Sequence, residues 1–220
     1  MFKSIVWSST IDYPNQVSTV LFVGACNWNC EYCHNKNLND NPSIKFNDIL
    51  PRLLQRKEFI NHIVISGGEC TCYKELPQII NILKNNGFKI GIHTNGSNPQ
   101  MLKNIINDID FVGMDIKTSK NKYNTIIKSN INFNTILESI NIILKSKCIY
   151  EFRTTLYPEV LKQDCLLIAQ LLKCLNIKQY ILQQFEDSYV QTSLKPYSIE
   201  YIKEIKDECS KIIPTILKGW

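Results

Sequence analysis

Short β-rich runs alternate with helical patterns along nearly the whole chain, and this alternation constrains the fold more than any other feature of the sequence. The runs are "VSTVLFV" (17–23), "HIVIS" (62–66), "FKIGIH" (88–93), "DFVGMDI" (110–116), "YEFRTTL" (150–156) and "QYILQQF" (179–185). They are rich in β-branched and aromatic residues and bounded by turn formers. Between them Leu76, Ile79, Ile80 and Leu83 keep the i, i+3, i+4, i+7 spacing of a helix with one buried stripe, and so do Cys165, Ile168, Ala169 and Leu172. Gly87 is placed to close the helix that ends "KNN", and Asn98 before Pro99 supplies the N-cap and first helical residue of the next. A parallel strand neighbour requires a crossover, which a helix provides. Six such units are too few for a closed eight-fold barrel. The expected fold is therefore α/β, an open partial (βα)6 barrel with a parallel sheet. No repeat, low-complexity segment or Pro/Ser linker divides the chain, so residues 1–220 read as a single domain.

In parallel α/β folds ligands collect at the carboxyl ends of the strands, so chemistry is expected just after each apolar run. After the first comes "CNWNCEYCHN" (26–35), with Cys26, Cys30, Cys33 and His34 inside nine positions. Taken alone, it reads as a c-type haem attachment sequence, a Cys3His zinc site or an iron-sulfur cluster with one corner open. Three thiolates would leave one iron able to bind substrate, which a closed structural zinc site cannot do. The second run ends in Gly67-Gly68-Glu69, where glycines permit close backbone approach and the carboxylate suits a cationic amine. The third ends "HTNG" and the fourth "DIK", where Asp115 and Lys117 alternate with Ile116 and so share one side of their strand. Cys70, Cys72, Cys148, Cys165, Cys174 and Cys209 read as small buried hydrophobes.

The opening "MFKSIVWSSTIDYP" lacks the apolar core of a signal peptide, and no later segment is apolar for about 18 residues. A cytoplasmic location without membrane contact is expected. Nine cysteines in such a setting argue for metal or redox chemistry over a disulfide framework, and weaken the haem reading. The net charge of +5 arises from 22 Lys and 3 Arg scattered singly, with no basic run to track a phosphate backbone, so no nucleic-acid partner is expected.

"CNWNCEYCHN" together with "SGGE", "TNG" and "MDIK" at these intervals resembles the radical S-adenosylmethionine (radical SAM) superfamily, whose motif is C-x3-C-x-aromatic-C. The opening "IDYPNQVSTVLFVGACNWNCEYCHN", with "YEFRTTL" and "YILQQF", more closely resembles the activating proteins of anaerobic ribonucleoside-triphosphate reductase and related glycyl-radical activases. The resemblance covers roughly residues 9 to 190 and implies a set of roles. Cys26, Cys30 and Cys33 would bind three irons of a 4Fe-4S cluster whose fourth iron takes the amine and carboxylate of SAM. Tyr32 would lie against the adenine with His34 beside it. Gly67, Gly68 and Glu69 would hold the methionine amine, and Asp115 and Lys117, joined by Thr94 and Asn95, the ribose and carboxylate end. Arg153 would suit a carboxylate and equally a structural ion pair, and Gln184, which reads first as a satisfied polar residue at a strand end, could edge the adenine. The implied activity is reductive cleavage of SAM to a 5'-deoxyadenosyl radical, which would generate a glycyl radical on a partner such as anaerobic ribonucleotide reductase. A flavodoxin or ferredoxin-type protein would be the reductant.

Two positions depart from the family pattern: His93 stands where relatives often carry aspartate, and "CTC" follows Glu69. Two other readings stay open, a radical SAM enzyme acting on a small molecule or peptide, and a non-catalytic zinc or electron-transfer protein. Little sequence follows the sixth run, and the helical "YSIEYIKEIKDECSKII" takes half of it, so the partner itself is expected to close the site.

Overall fold

The computed structural model describes residues 1–185 and 195–219. The chain divides into two compact units. The first comprises Met1–Asn27, Asn35–Gly113 and Asn134–Tyr150. It opens with an antiparallel pair, β1 (Phe2–Tyr13) and β2 (Gln16–Val23), joined by Pro14 and Asn15. Asn15 takes the left-handed conformation, φ 57°, which asparagine tolerates better than most residues. Next to β2 lie β3 (His62–Gly67) and β4 (Lys89–Thr94), both parallel, with Val20 opposite Val64 and Ile65 opposite Ile92. Residues 18–21 and 63–66 are buried without interruption, as in strands covered on both faces.

Helices α1 (Phe46–Arg56), α2 (Leu76–Asn85), α3 (Pro99–Ile105) and most of α5 (Phe133–Lys145) belong to this unit, α4 being introduced below. α2 buries Leu76, Ile79, Ile80 and Leu83, the four residues of the expected stripe. Gly87 follows it at φ 78°, and the Asn98 side chain accepts the Met101 N–H at 3.1 Å ahead of Pro99. Arg52 and Arg56 lie 4.4 and 5.8 Å from the Trp7 ring centroid, so α1 covers β1 through guanidinium-indole contacts.

The second unit comprises Trp28–His34, Met114–Phe133 and Glu151–Trp220, of which Trp220 and 186–194 lie outside the described residues. β5 (Phe111–Asp115) and β6 (Ile149–Thr155) give residues to both units. β7 (Tyr180–Gln183) runs parallel to β6 and to β8 (Thr215–Lys218). Its helices are α4 (Tyr123–Ile127), α6 (Lys162–Cys174) and α7 (Ile199–Ser210). α6 buries Cys165, Ile168, Ala169 and Leu172, again the expected set. The strands are hydrogen-bonded in chain order from β1 to β8.

All six expected strands are present, with β1 and β8 in addition. β1 escapes a pattern search because it buries only Phe2, Ser9 and Tyr13 and leaves Val6 and Ile11 exposed, so it has no alternation to detect. Cys70, Cys148, Cys165 and Cys209 are buried as expected, but Cys72 and Cys174 are exposed. Cys174 falls off the α6 stripe, and Cys72 ends a short turn at a loop surface. Among the described residues no helix is long and apolar enough to cross a membrane.

Candidate functional site

In the first unit, the loops after β2, β3 and β4 are bound into one lattice. Gly67, at φ 108°, and Gly68 lie so close to residues 23–25 that a Cβ on Gly67 would collide with the Val23 carbonyl, and one on Gly68 with those of Gly24 and Ala25. The Gly68 and Glu69 amides donate to Val23 O and Ala25 O at 2.8 and 2.9 Å. The glycine pair thus permits close approach of the chain to itself, next to the first cysteine. Ala25 N–H donates to the Tyr73 hydroxyl at 2.7 Å, and Asn35 Nδ2 to the Gly67 carbonyl at 2.9 Å.

At the centre of this lattice lies Glu69, wholly buried. Its Oε1 accepts from Thr71 N (3.1 Å), Thr71 Oγ1 (2.6 Å) and Thr94 Oγ1 (2.7 Å), and its Oε2 from Asn95 N (2.6 Å). Burial raises its pKa, and the hydrogen bonds from Thr71, Asn95 and Thr94 only partly counter this. Both carboxylate oxygens are engaged, so the side chain orders the loops from within. Asn95, also buried, directs Nδ2 to Asn27 Oδ1 at 3.0 Å and to Cys26 Sγ at 3.9 Å, while its Oδ1 accepts Ser97 N–H at 2.9 Å. Asn27 Nδ2 in turn donates to Ser97 Oγ at 2.8 Å.

His93 is held by Ser66 Oγ, 3.1 Å from Nδ1, and by the Asp12 carbonyl, 3.0 Å from Nε2. A carbonyl only accepts, so Nε2 carries the proton and Nδ1 faces Ser66. The histidine is therefore a cross-tie from β4 to the end of β1.

The second unit holds the remaining candidates. Its cysteine segment is fastened to α4 by Asn29 N–H donating to Ile127 O at 3.1 Å, by Trp28 edge-on to Tyr123 at 5.9 Å, and by Lys128 bonded to Glu31 at 2.9 Å. Cys30 is buried and Cys33 half-buried. Tyr32 stacks on Tyr157, ring centroids 4.5 Å apart and 26° between planes, and Lys117 Nζ lies 5.7 Å from the Tyr32 centroid. The Tyr32 hydroxyl is buried with no hydrogen-bond partner among the described residues, and the same holds for Thr118 Oγ1. Burial pushes the Tyr32 phenol well above its usual range. His34 is exposed, its ring 5.9 Å from that of Phe185, and Gln184 is half-buried at the end of β7.

Asp115, at the end of β5, accepts from Lys117 Nζ through Oδ2 at 2.8 Å and from Arg153 Nε and Nη2 through Oδ1 at 3.0 Å. Arg153 is 4% exposed. Burial alone would lower the Lys117 pKa, but Asp115 more than offsets it and holds the ammonium well above its ordinary value. The trio joins one carboxylate to two cations through charge-assisted bonds.

Among the described residues no three His, Cys, Asp or Glu side chains form a metal-holding array, and the motif divides between the units, Cys26 in the first and Cys30 and Cys33 in the second. None of the three is in a disulfide. Three thiols within the eight residues Cys26–Cys33 are nonetheless the kind of donor that an iron-sulfur cluster takes. The expectation that polar clusters end each strand found Glu69, Thr94, Asn95 and Asp115, but overlooked Tyr73 and Tyr157. Each follows a strand within a few residues, and an aromatic at that position was the available signal.

Comparison with known proteins gives three results. The profile of the Radical SAM superfamily matches residues 20–172. A glycyl-radical enzyme activating enzyme of Methanocaldococcus jannaschii, described as putative, is 35% identical over 86% of this chain and 82% of its own length. The pyruvate formate-lyase-activating enzyme of Clostridium pasteurianum is 30% identical over 52% of this chain and 51% of its own. Among solved structures, Streptococcus suis SuiB bound to the precursor peptide SuiA superposes with a TM-score of 0.74 at 12% identity, over 91% of this chain. The chain spans 48% of the length of SuiB, which has also been solved with S-adenosylmethionine. The likeness shows the fold, the α/β partial (βα)6 barrel of radical SAM proteins.

Proposed function

Because the chain belongs to the radical SAM superfamily and, within it, to the glycyl-radical enzyme activating enzymes, we propose that it generates a glycyl radical on a partner enzyme, anaerobic ribonucleoside-triphosphate reductase. The observation that carries this reading is the Cys26-x3-Cys30-x2-Cys33 loop inside a chain 35% identical to an activating enzyme over most of its length. The family uses a 4Fe-4S cluster and S-adenosylmethionine, which together supply a one-electron cleavage whose product abstracts a hydrogen atom from substrate.

The chain's residues take distinct parts in this proposal. Cys26, Cys30 and Cys33 hold three irons. Asn95 and Asn27 fix Cys26, and the buried Glu69 holds Asn95 in turn. The Gly67–Glu69 backbone, joined by Thr94, borders the methionine amine. The Asp115, Lys117 and Arg153 group borders the ribose and carboxylate end of SAM. Tyr32, backed by Tyr157, offers a flat face to the adenine with His34 and Gln184 at its edge, and the Tyr32 hydroxyl gains there a partner it otherwise lacks. The partner closes the site and keeps out water and oxygen. A flavodoxin or ferredoxin-type protein delivers the electron, in the cytoplasm.

Mixing the reduced enzyme, SAM and the candidate reductase should produce on the reductase an electron paramagnetic resonance doublet, from a glycine Cα radical split by its remaining hydrogen. A chain that raises no such signal on any glycyl-radical partner, yet turns over a nucleoside or peptide by itself, would refute the proposal.

A further inference from the structure

The Asn95 side chain is turned towards Cys26, and its bonds leave one arrangement of the amide. Its backbone N–H donates to Glu69 Oε2 at 2.6 Å, which seats the residue directly after β4. Its Oδ1 accepts the Ser97 N–H at 2.9 Å, a turn closed by the side chain two residues on. A backbone N–H can only donate, so the oxygen end of the amide faces Ser97 and the nitrogen end faces away. There Nδ2 meets two acceptors, Asn27 Oδ1 at 3.0 Å and Cys26 Sγ at 3.9 Å. The Asn27 amide is oriented in turn, because its oxygen meets this donor and its nitrogen donates to Ser97 Oγ at 2.8 Å. Cys26 Sγ also lies 3.9 Å from Asn27 Oδ1, an oxygen that can only accept. A sulfur that has given up its proton to bind metal only accepts as well, and of these two amides Asn95 is the one that offers it a hydrogen.

We propose that Asn95 Nδ2 donates to the Cys26 sulfur when that sulfur ligates the cluster, and that this bond raises the cluster's reduction potential. The inference rests on the proposed function, in which Cys26 is a ligand, and gives Asn95 a part that needs no contact with SAM. Reduction passes one electron from the flavodoxin or ferredoxin-type donor to the cluster, and the added negative charge spreads onto the ligand sulfurs. A hydrogen bond strengthens as its acceptor becomes more negative, so the Asn95 donor stabilises the reduced form over the oxidised one. Asn95 is 6% exposed, so its amide is held for this bond and not shared with bulk water. It is a positioning residue, acting on the metal through Cys26.

The test is a potentiometric titration of the cluster-loaded chain without SAM, followed by the electron paramagnetic resonance signal of the reduced cluster. Asn95→Ser keeps a side-chain oxygen for the Ser97 N–H and removes the amide donor, whereas Ser97→Ala removes the partner of Asn27 and keeps that donor. In Asn95→Ser the midpoint should move to more negative potential, lowering the ratio of reduced to oxidised cluster at a fixed potential about threefold or more. Asn95→Ala, titrated alongside, should shift in the same direction, and Ser97→Ala should titrate like the parent. Iron content and SAM affinity should hold in Asn95→Ser. An unchanged midpoint in Asn95→Ser, or an equal shift in Ser97→Ala, would overturn the proposal. Loss of iron from both Asn95 variants would overturn it too, by making the residue a structural support of the loop. A parent chain that holds no iron-sulfur cluster fails before any variant is made, and that result refutes the ligand assignment on which the proposal rests.

Discussion

The candidate residues of the two units are arranged on opposite principles. Around Glu69 every buried polar side chain has its partners: one carboxylate accepts four bonds, Thr94 and Asn95 each serve twice or more, and little hydrogen-bonding capacity is left over. Around Tyr32 the arrangement is unsaturated, with three buried hydroxyls, those of Tyr32, Tyr157 and Thr118, lacking partners among the described residues. A saturated lattice is costly to break and has little to offer a ligand, whereas unpartnered hydroxyls are tolerable where something else will satisfy them. On the proposed function, the Glu69 group shapes the site and the residues around Tyr32 receive the cofactor.

The largest effect tests the proposed metal ligands, Cys26 in the first unit and Cys30 and Cys33 in the second. Cys26→Ala, Cys30→Ala and Cys33→Ala should each abolish cluster absorbance near 400 nm, roughly the range of iron-sulfur charge transfer, and SAM cleavage with it, whereas Cys72→Ala should retain both. Loss of the cluster in Cys72→Ala would mean that the loop contains a further ligand.

Next in size is Asp115→Ala, which leaves Lys117 and Arg153 without their shared carboxylate. Removing one member of a buried ion group costs about 3–5 kcal/mol, here towards the low end because Asp115 is 24% exposed. Urea unfolding should show this loss, and SAM affinity should fall as well while the iron content holds. Unchanged SAM affinity in both Asp115→Ala and Lys117→Ala would reduce the trio to a structural ion cluster and erase the proposed contrast.

Glu69→Gln and Tyr32→Phe should diverge in sign. The amide nitrogen must replace either Oε1, which accepts three bonds, or Oε2, which accepts one, so Glu69→Gln should lose about 1–3 kcal/mol of stability. Tyr32→Phe removes a buried hydroxyl that has no partner among the described residues, so stability should hold or rise by up to about 1 kcal/mol while SAM binds more weakly. If Tyr32→Phe destabilises the protein without altering SAM affinity, the hydroxyl is structural.

The smallest effect lies away from both groups and serves as a control. Burial favours the neutral form of Asp110, but bonds from Lys84, Ile90 N–H and Lys89 prevail and hold its pKa below the ordinary value. Its contribution is therefore present above the unfolded pKa and is lost as pH falls below about 4 through the depressed folded value. Asp110→Asn should cost under about 1 kcal/mol at neutral pH, given solvent screening, and should flatten the acid limb of the stability curve without changing SAM affinity.

The helices and central strands were legible because their burial is periodic: α2 and α6 bury the stripes read from spacing alone, and β3 is an unbroken apolar run. β1 was not, because its one-sided contacts, such as Trp7 beneath two arginines, follow no repeat of hydrophobicity. The candidate residues could be named from motifs, but the division of labour among them could not. That Glu69 is sealed while the Tyr32 hydroxyl lacks a partner depends on which loops meet, and local spacing does not encode such meetings. The glycine pair illustrates this, since its close approach proves to be to residues 23–25 of the same chain.

That approach has a dynamic consequence. With no room for a side chain at Gly67 or Gly68, and with the Gly68 and Glu69 amides bonded to Val23 and Ala25, the chain leading into Cys26 cannot peel away without also opening the end of β3. These amide protons then exchange with solvent through one cooperative opening, as a single foldon, and not by independent fraying of two loops. The entrance to the cysteine loop thus keeps its shape on the timescale of sheet unfolding, orders of magnitude slower than ordinary loop motion.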